Sequence, residues 1–287
     1  MTDLYDRVSR LVGSLLAVVG MIVVAASIPG SAQAQIGADL NISPKRVVFG
    51  PGERSAVVYI FNQGDEAATY SVEMVDRVML PDGQIAAVAD HPEAEVASAS
   101  RLVQYTPRRV VLQPRESQAI RVRAMPTPGD GGTEWRTHLT VTAVPPESTG
   151  LTAEAAARGE TGELSLQVTA LFSISIPVIL RAGEPDARAA IENLALTPGD
   201  AERPGGVLAL DLVRQGPNSV YGDVEVRNGD EVVGLLRGVA VYPEVARRAV
   251  LLPLQTPVAR GTVLTVTYRD DDARKGDTLA SASLAAP

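Results

Sequence analysis

Glu163–Leu180 reads ELSLQVTALFSISIPVIL, and Leu164, Leu166, Val168, Ala170, Phe172, Ile174 and Ile176 fall on every second position without a break. Side chains in a strand alternate between its two faces, so this spacing places all of them on one face of a single strand. Strands usually run about 5–6 residues, and a strand over 163–180 is far longer than one sheet of a small domain uses. A long apolar strand at a sheet edge either aggregates or is covered, so this one predicts a partner.

The pattern upstream of it is also strand. Alternation and β-branched content predict strands at 45–49, 55–62, 68–77, 102–112 with an interruption allowed, 117–124 and 135–144. Turn residues separate them at Gly50-Pro51-Gly52, Asn62-Gln63-Gly64-Asp65 and Pro81-Asp82-Gly83. About seven short strands punctuated in this way predict an immunoglobulin-like sandwich. Pro145–Gly162 has almost no large apolar residue and reads as a long loop leading into the long strand. After the Gly183-Glu184-Pro185 joint a second all-β domain is expected, with strands near 189–196, 206–214, 221–227, 231–239, 247–254, 262–269 and 278–284. Asn228-Gly229-Asp230 is its clearest hairpin signal. Neither half shows a useful stretch of helical periodicity. The expected fold is therefore all-β: two sandwiches with a short join and a cleft between them.

Length and charge bound the rest. The 287 residues suffice for two cores, and 45% are hydrophobic. A net charge of −8 speaks against a nucleic-acid partner, which calls for a basic face. There is no cysteine, which removes thiol catalysis, zinc–thiolate sites and iron–sulfur ligation. Residues 1–34 carry Arg7 and Arg10, an apolar run over Leu11–Ala26, and Ala32-Gln33-Ala34. That order predicts an export signal cleaved before Gln35; the competing reading is an uncleaved anchor, for which the run is short. The expected domains are a signal peptide over 1–34, a first sandwich with the long strand over 35–182, and a second sandwich over 183–287.

Four landmarks now stand in order: SPKRVVFGPGERSAVVYIFNQGD from Ser43, YTPRRVVLQPRESQAIRVRA from Tyr105, TEWRTHLTVTAVPP from Thr133, and IPVILRAG from Ile176. Together they resemble the periplasmic chaperones of chaperone–usher pili, two immunoglobulin-like sandwiches in a boomerang arrangement. The WRTH wording beside IPV is nearer the archaic or nonclassical branch. LVRQGPNSVYGDVEV and VAVYPEVARR give weaker echoes in the second half. The resemblance implies a non-enzymatic assembly chaperone with no cofactor. Its partners would be pilin subunits and an outer-membrane usher, and it would reside in the periplasm and could cap itself as a homodimer.

Such chaperones lend part of their last first-domain strand to a subunit that lacks one, which here implies Leu164, Leu166, Val168 and Ala170 as donors. Phe172, Ile174 and Ile176 would pack inside their own domain. The family also holds the subunit's C-terminal carboxylate with two basic residues. Arginine suits this because its planar fork gives two parallel hydrogen bonds. Alignment of SPKRVVF implies Arg46 as one anchor, but Pro177 stands where the usual lysine belongs. The strand from Glu134 runs antiparallel to the long strand, so its start neighbours the cleft end. Arg136 is there, with His138 two positions on and on the same face; these are the expected second ligand and supporting donor. Removal of Arg46 and Arg136 together is expected to leave thermal unfolding nearly unchanged. The family pattern also implies an interdomain charge pair between Glu134 and Arg181, with an acidic partner in the second domain that the sequence does not locate.

Two other classes stay in view. An enzyme is disfavoured: His91 and His138 are the only histidines, and there is no G-x-S-x-G elbow or phosphate-cradling loop. Asp90-His91-Pro92-Glu93-Ala94-Glu95 gathers polar groups in a turn-rich loop, which solvation explains better than a metal. An exported two-domain structural or adhesive protein would share the fold and the charge. It would have no use for an over-long apolar edge.

Overall fold

The structure, a computed structural model, describes residues 39–128, 134–145 and 171–287. It is all-β, with two immunoglobulin-like sandwiches built from residues 40–181 and 189–285. Among the described residues the only helical turn is Val88–Asp90.

In the first sandwich one sheet contains β1 (Leu40–Ser43), β3 (Ser55–Asn62), β9 (Ser117–Ala124) and β7 (Val103–Thr106), in the order β1-β3-β9-β7. The other contains β2 (Val47–Phe49), β11 (Ser173–Arg181), β10 (Glu134–Val144), β4 (Ala68–Val75) and β8 (Arg109–Leu112), in the order β2-β11-β10-β4-β8. The chain crosses between these sheets at Pro44 and again at Pro107, because proline offers no N–H to continue a ladder. The stretch expected over 102–112, with an interruption allowed, is therefore two strands in different sheets. The short β1 was not foreseen.

Alternation does the packing. Val58 and Ile60 of β3, Ile120 and Val122 of β9, Leu139 and Val141 of β10, and Ile176, Val178 and Leu180 of β11 all enter one core. Each large aliphatic side chain so placed contributes about 1.5–3 kcal/mol relative to exposure. Ile174 packs against the same core, and Phe172 is half-buried. Leu171 is exposed.

The second sandwich sets β12 (Ala189–Thr197), β13 (Val207–Arg214) and β16 (Arg247–Pro253) against β15 (Glu231–Val241), β14 (Val220–Asn228), β17 (Val263–Asp270) and β18 (Thr278–Ala285). Its core holds Leu208, Leu210, Leu212, Val224, Val226, Val250, Leu252, Leu264 and Val266. The hairpin signal lies where expected: β14 pairs with β15 up to Asn228 and Glu231, and Gly229 takes φ 58° between them.

No strand of one described sandwich pairs with a strand of the other, yet their apolar surfaces join. Met79 and Ile179 belong to the second core, although both come from the first half of the chain. Met79 lies on a hairpin that the strand expectations missed, β5 (Arg77–Met79) with β6 (Ile85–Ala87). The hairpin lies across the second sandwich, where the amide of Ala249 donates to Pro81 O at 2.8 Å. Gly83 turns it at φ 86°, and a Cβ there would run into the Arg248 guanidinium.

Candidate functional site

β10 and β11 are in antiparallel register from Glu134 opposite Arg181 to Thr142 opposite Ser173. On β10, Leu139, Val141 and Ala143 point into the first core. Arg136, His138 and Thr140 take the other face, yet all three are buried. The β5–β6 hairpin and the β15–β16 turn supply partners to that face through Arg77 O and Glu244, although Arg136 Nε and His138 Nδ1 are buried without a hydrogen bond.

Glu134 and Arg181 form an ion pair at 2.9 Å, with side chains 1% and 4% exposed. Glu134 Oε2 also accepts from the Ser219 hydroxyl at 2.9 Å. The second-sandwich acid that the sequence did not locate is Asp272, whose Oδ2 accepts from Arg181 Nη2 at 2.8 Å and from Arg46 Nη2 at 2.7 Å. Asp270 shapes that turn by accepting from the amides of Asp272 and Arg274. Burial works against the charge on Arg181, but Glu134 and Asp272 outweigh it and raise its pKa above the ordinary arginine value.

Arg46 stacks on the Tyr221 ring with its guanidinium carbon 4.3 Å from the centroid. Its Nε and Nη1 are buried and make no hydrogen bond. Arg136 stacks on Tyr242 at 3.8 Å. Both of its terminal nitrogens donate to the Glu244 carboxylate, and Nη2 also donates to Arg77 O at 3.0 Å. Glu244 additionally accepts from the Met79 amide at 2.6 Å. Arg136 and Glu244 are each 3% exposed at the side chain.

The three expected anchor residues therefore do not converge. Arg136 lines a cavity of about 220 Å³ with Glu95, Glu134 and Glu244. His138 lines a second cavity, of about 280 Å³, with Arg77, Ser173, Ser175 and Tyr242. Arg46 borders neither. Burial, together with the nearby charges of Arg136 and Arg77, pushes the His138 pKa down to about 3, so the imidazole is neutral at physiological pH. The expectation that Arg136 could be removed without harm to the fold is corrected here: its loss would strand the buried Glu244 carboxylate.

β11 has a second structural feature. β10 pairs with it along its whole length, but β2 covers only Val178, Ile179 and Leu180. Among the described residues, Ser173–Pro177 therefore has one ladder edge without a partner strand. Pro177 fits there, because proline belongs on edge strands. The expected donors Leu164, Leu166, Val168 and Ala170 lie outside the described residues.

No sequence-family model matches the chain, and no curated protein matches it. Solved structures that resemble it in fold include chaperones and chaperone complexes. The YadV chaperone aligns at 15% identity over 86% of this chain and 100% of its own, with TM-score 0.42. The Salmonella enterica SafA pilin–SafB chaperone complex aligns at 15% identity, 86% and 95% coverage and TM-score 0.41. The CsuC–CsuE chaperone–tip adhesion subunit complex, from archaic chaperone–usher Csu pili of Acinetobacter baumannii, aligns at 11% identity, 86% and 98% coverage and TM-score 0.44.

Several junction residues escaped the sequence reading. Ser219 and Tyr221 lie inside LVRQGPNSVYGDVEV, and Tyr242 and Glu244 inside VAVYPEVARR. Both segments were singled out, but nothing local says which side chain crosses to the other sandwich. Asp272 sits in a run of three aspartates that spacing alone does not rank.

Proposed function

We propose that this chain is a periplasmic chaperone that binds pilin subunits by lending them a strand and passes them to an outer-membrane usher. The observation that carries the reading is the unpartnered edge of β11 over Ser173–Pro177. Immediately upstream, the sequence keeps the same alternation through Leu164, Leu166 and Val168. A strand with an open ladder and an apolar face is a template for strand addition: main-chain hydrogen bonds supply affinity and alternate side chains supply specificity. The Glu134–Arg181–Asp272 network supports the reading by tying the two sandwiches together at the cleft end of that strand. Export by a cleaved signal over residues 1–34 and self-capping as a homodimer belong to the same proposal. No catalytic step and no cofactor are part of it. Among the described residues no group of three His, Cys, Asp or Glu side chains is placed to hold a metal.

The test is co-expression with a pilin-like subunit, followed by size-exclusion of the periplasmic extract. The subunit is expected to elute one-to-one with this chain. Leu166→Asp is expected to abolish that complex, since a charge would be forced into an apolar groove. Normal capture by Leu166→Asp would remove the assigned donor register. A subunit that stays insoluble beside the wild-type protein would remove the function and favour a structural or adhesive role.

A further inference from the structure

The loop that follows the Val88–Asp90 turn brings Glu95, Val96 and Ala97 beside the start of β10. The Arg136 amide donates to Ala97 O at 2.8 Å and the Ala99 amide donates to Arg136 O at 3.0 Å, so the loop runs parallel to the strand there. Opposite it stand Pro217, Pro243 and Glu244 of the second sandwich, and together with Glu134 and Arg136 these residues line the cavity of about 220 Å³. The lining carries three carboxylates and one guanidinium. Glu244 neutralises Arg136, although Arg136 Nε stays without an acceptor. Glu134 is engaged through one oxygen only. Its Oε2 accepts from Arg181 Nε and from the Ser219 hydroxyl, each at 2.9 Å, whereas Oε1 is buried and accepts no hydrogen bond. That side chain is 1% exposed, so the bare oxygen is removed from bulk water without a protein donor in exchange, which is costly. Glu95, exposed at the rim, has no ion pair among the described residues.

We propose that this cavity binds a primary alkylammonium group, with Glu134 Oε1 and the Glu95 carboxylate as its acceptors. Arg136 and Arg181 are paired with Glu244 and Glu134, which leaves the charge of Glu95 uncompensated, so the site favours a cation. Only one oxygen of Glu134 is open. A compact ammonium can use a single oxygen, whereas the guanidinium fork matches two oxygens of one carboxylate. Val96, Ala97, Pro217 and Pro243 offer apolar wall to the hydrocarbon stem that carries the charge. A metal ion is not the reading, since no group of three His, Cys, Asp or Glu side chains among the described residues is placed to hold one. At about 220 Å³ the cavity lies below the span of about 300–1,000 Å³ usual for small-molecule sites, and it suits one aminoalkyl chain. A free amine and the lysine side chain of a partner protein present the same chemistry. The assignment does not depend on the chaperone reading above.

The test titrates the purified protein by calorimetry with n-butylammonium chloride, with Nα-acetyl-lysinamide and n-butanol as separate arms. A cation is expected to bind saturably, and the neutral alcohol not at all. Glu95→Gln changes an exposed side chain, so the fold is kept; it is expected to weaken cation binding about fivefold. Glu93→Gln removes an exposed carboxylate of the same loop that does not line the cavity, and it is expected to leave binding unchanged. Binding of the lysinamide supports a partner's lysine as occupant, and binding of butylammonium alone supports a free amine. Saturation by neither cation, equal binding of butanol, or undiminished binding by Glu95→Gln would overturn the assignment. So would an equal loss in Glu93→Gln, which would mean diffuse attraction to an acidic loop rather than a site.

Discussion

Arg46 and Arg136 are placed alike and left in different states. Each stacks on a tyrosine of the second sandwich, Tyr221 or Tyr242, and each meets one of its carboxylates, Asp272 or Glu244. Arg136 uses both terminal nitrogens on Glu244 and adds Arg77 O. Arg46 shares Asp272 with Arg181 and leaves Nε and Nη1 buried without acceptors. Arg136 is the better neutralised and acts as a clamp, with only its Nε left buried without an acceptor. Arg46 keeps two such nitrogens, Nε and Nη1, which are costly when buried and are relieved by an incoming acceptor. Similar positions near the cleft thus leave the two arginines with unequal hydrogen-bonding capacity in reserve.

The comparison breaks most directly at Arg136. Arg136→Ala is expected to lower unfolding stability by about 3–5 kcal/mol in urea titrations, because it leaves Glu244 as an unpaired buried charge. A loss below about 1 kcal/mol would show that water replaces the guanidinium and that the clamp is not structural.

Acid is expected to attack the same face. Native His138 stays neutral down to about pH 3, whereas the unfolded chain takes up a proton near the ordinary histidine value of 6.5. Stability is therefore full above pH 6.5 and is lost as pH falls from there toward 3, with a limiting slope of about 1.4 kcal/mol per unit. Urea midpoints at pH 7 and pH 5 should fall apart in the wild type and draw together in His138→Gln. Parallel shifts in the two proteins would mean that other groups carry the pH dependence.

Arg46→Ala should cost less, about 1–2 kcal/mol, since Asp272 keeps its bond to Arg181. The same substitution should weaken subunit capture in the size-exclusion assay. Full capture would place the client carboxylate elsewhere. The exposed Arg115–Asp65 pair sets the lower bound: Arg115→Ala is expected to change stability by no more than about 0.5 kcal/mol in the same titrations.

How much of this was legible follows from the range of the forces involved. Period-two alternation identified β3, β4, β9, β10 and the whole second sandwich, because the burial pattern of a strand is written locally. The β5–β6 hairpin was missed because each of its strands is three residues long, too short for a pattern, and it is held by Glu244, Ala249 and Arg248 from far along the chain. The Glu134–Arg181 pairing was anticipated from the family pattern, and register sets the two directly opposite each other. Arg136 and His138 were correctly placed on one face of β10, but their partners were invisible. Those partners, Glu244, Tyr242 and Arg77, arrive from other elements.

The sequence by itself determined that the chain is two β-sandwiches, with an apolar strand at the end of the first, since alternation and turn chemistry act between near neighbours. Tertiary structure alone decided that Glu244 clamps Arg136, while Arg46 shares its carboxylate with Arg181 and keeps more of its donors unfilled. Those outcomes depend on electrostatics and hydrogen bonds between side chains as many as 226 positions apart, a separation that no local pattern encodes.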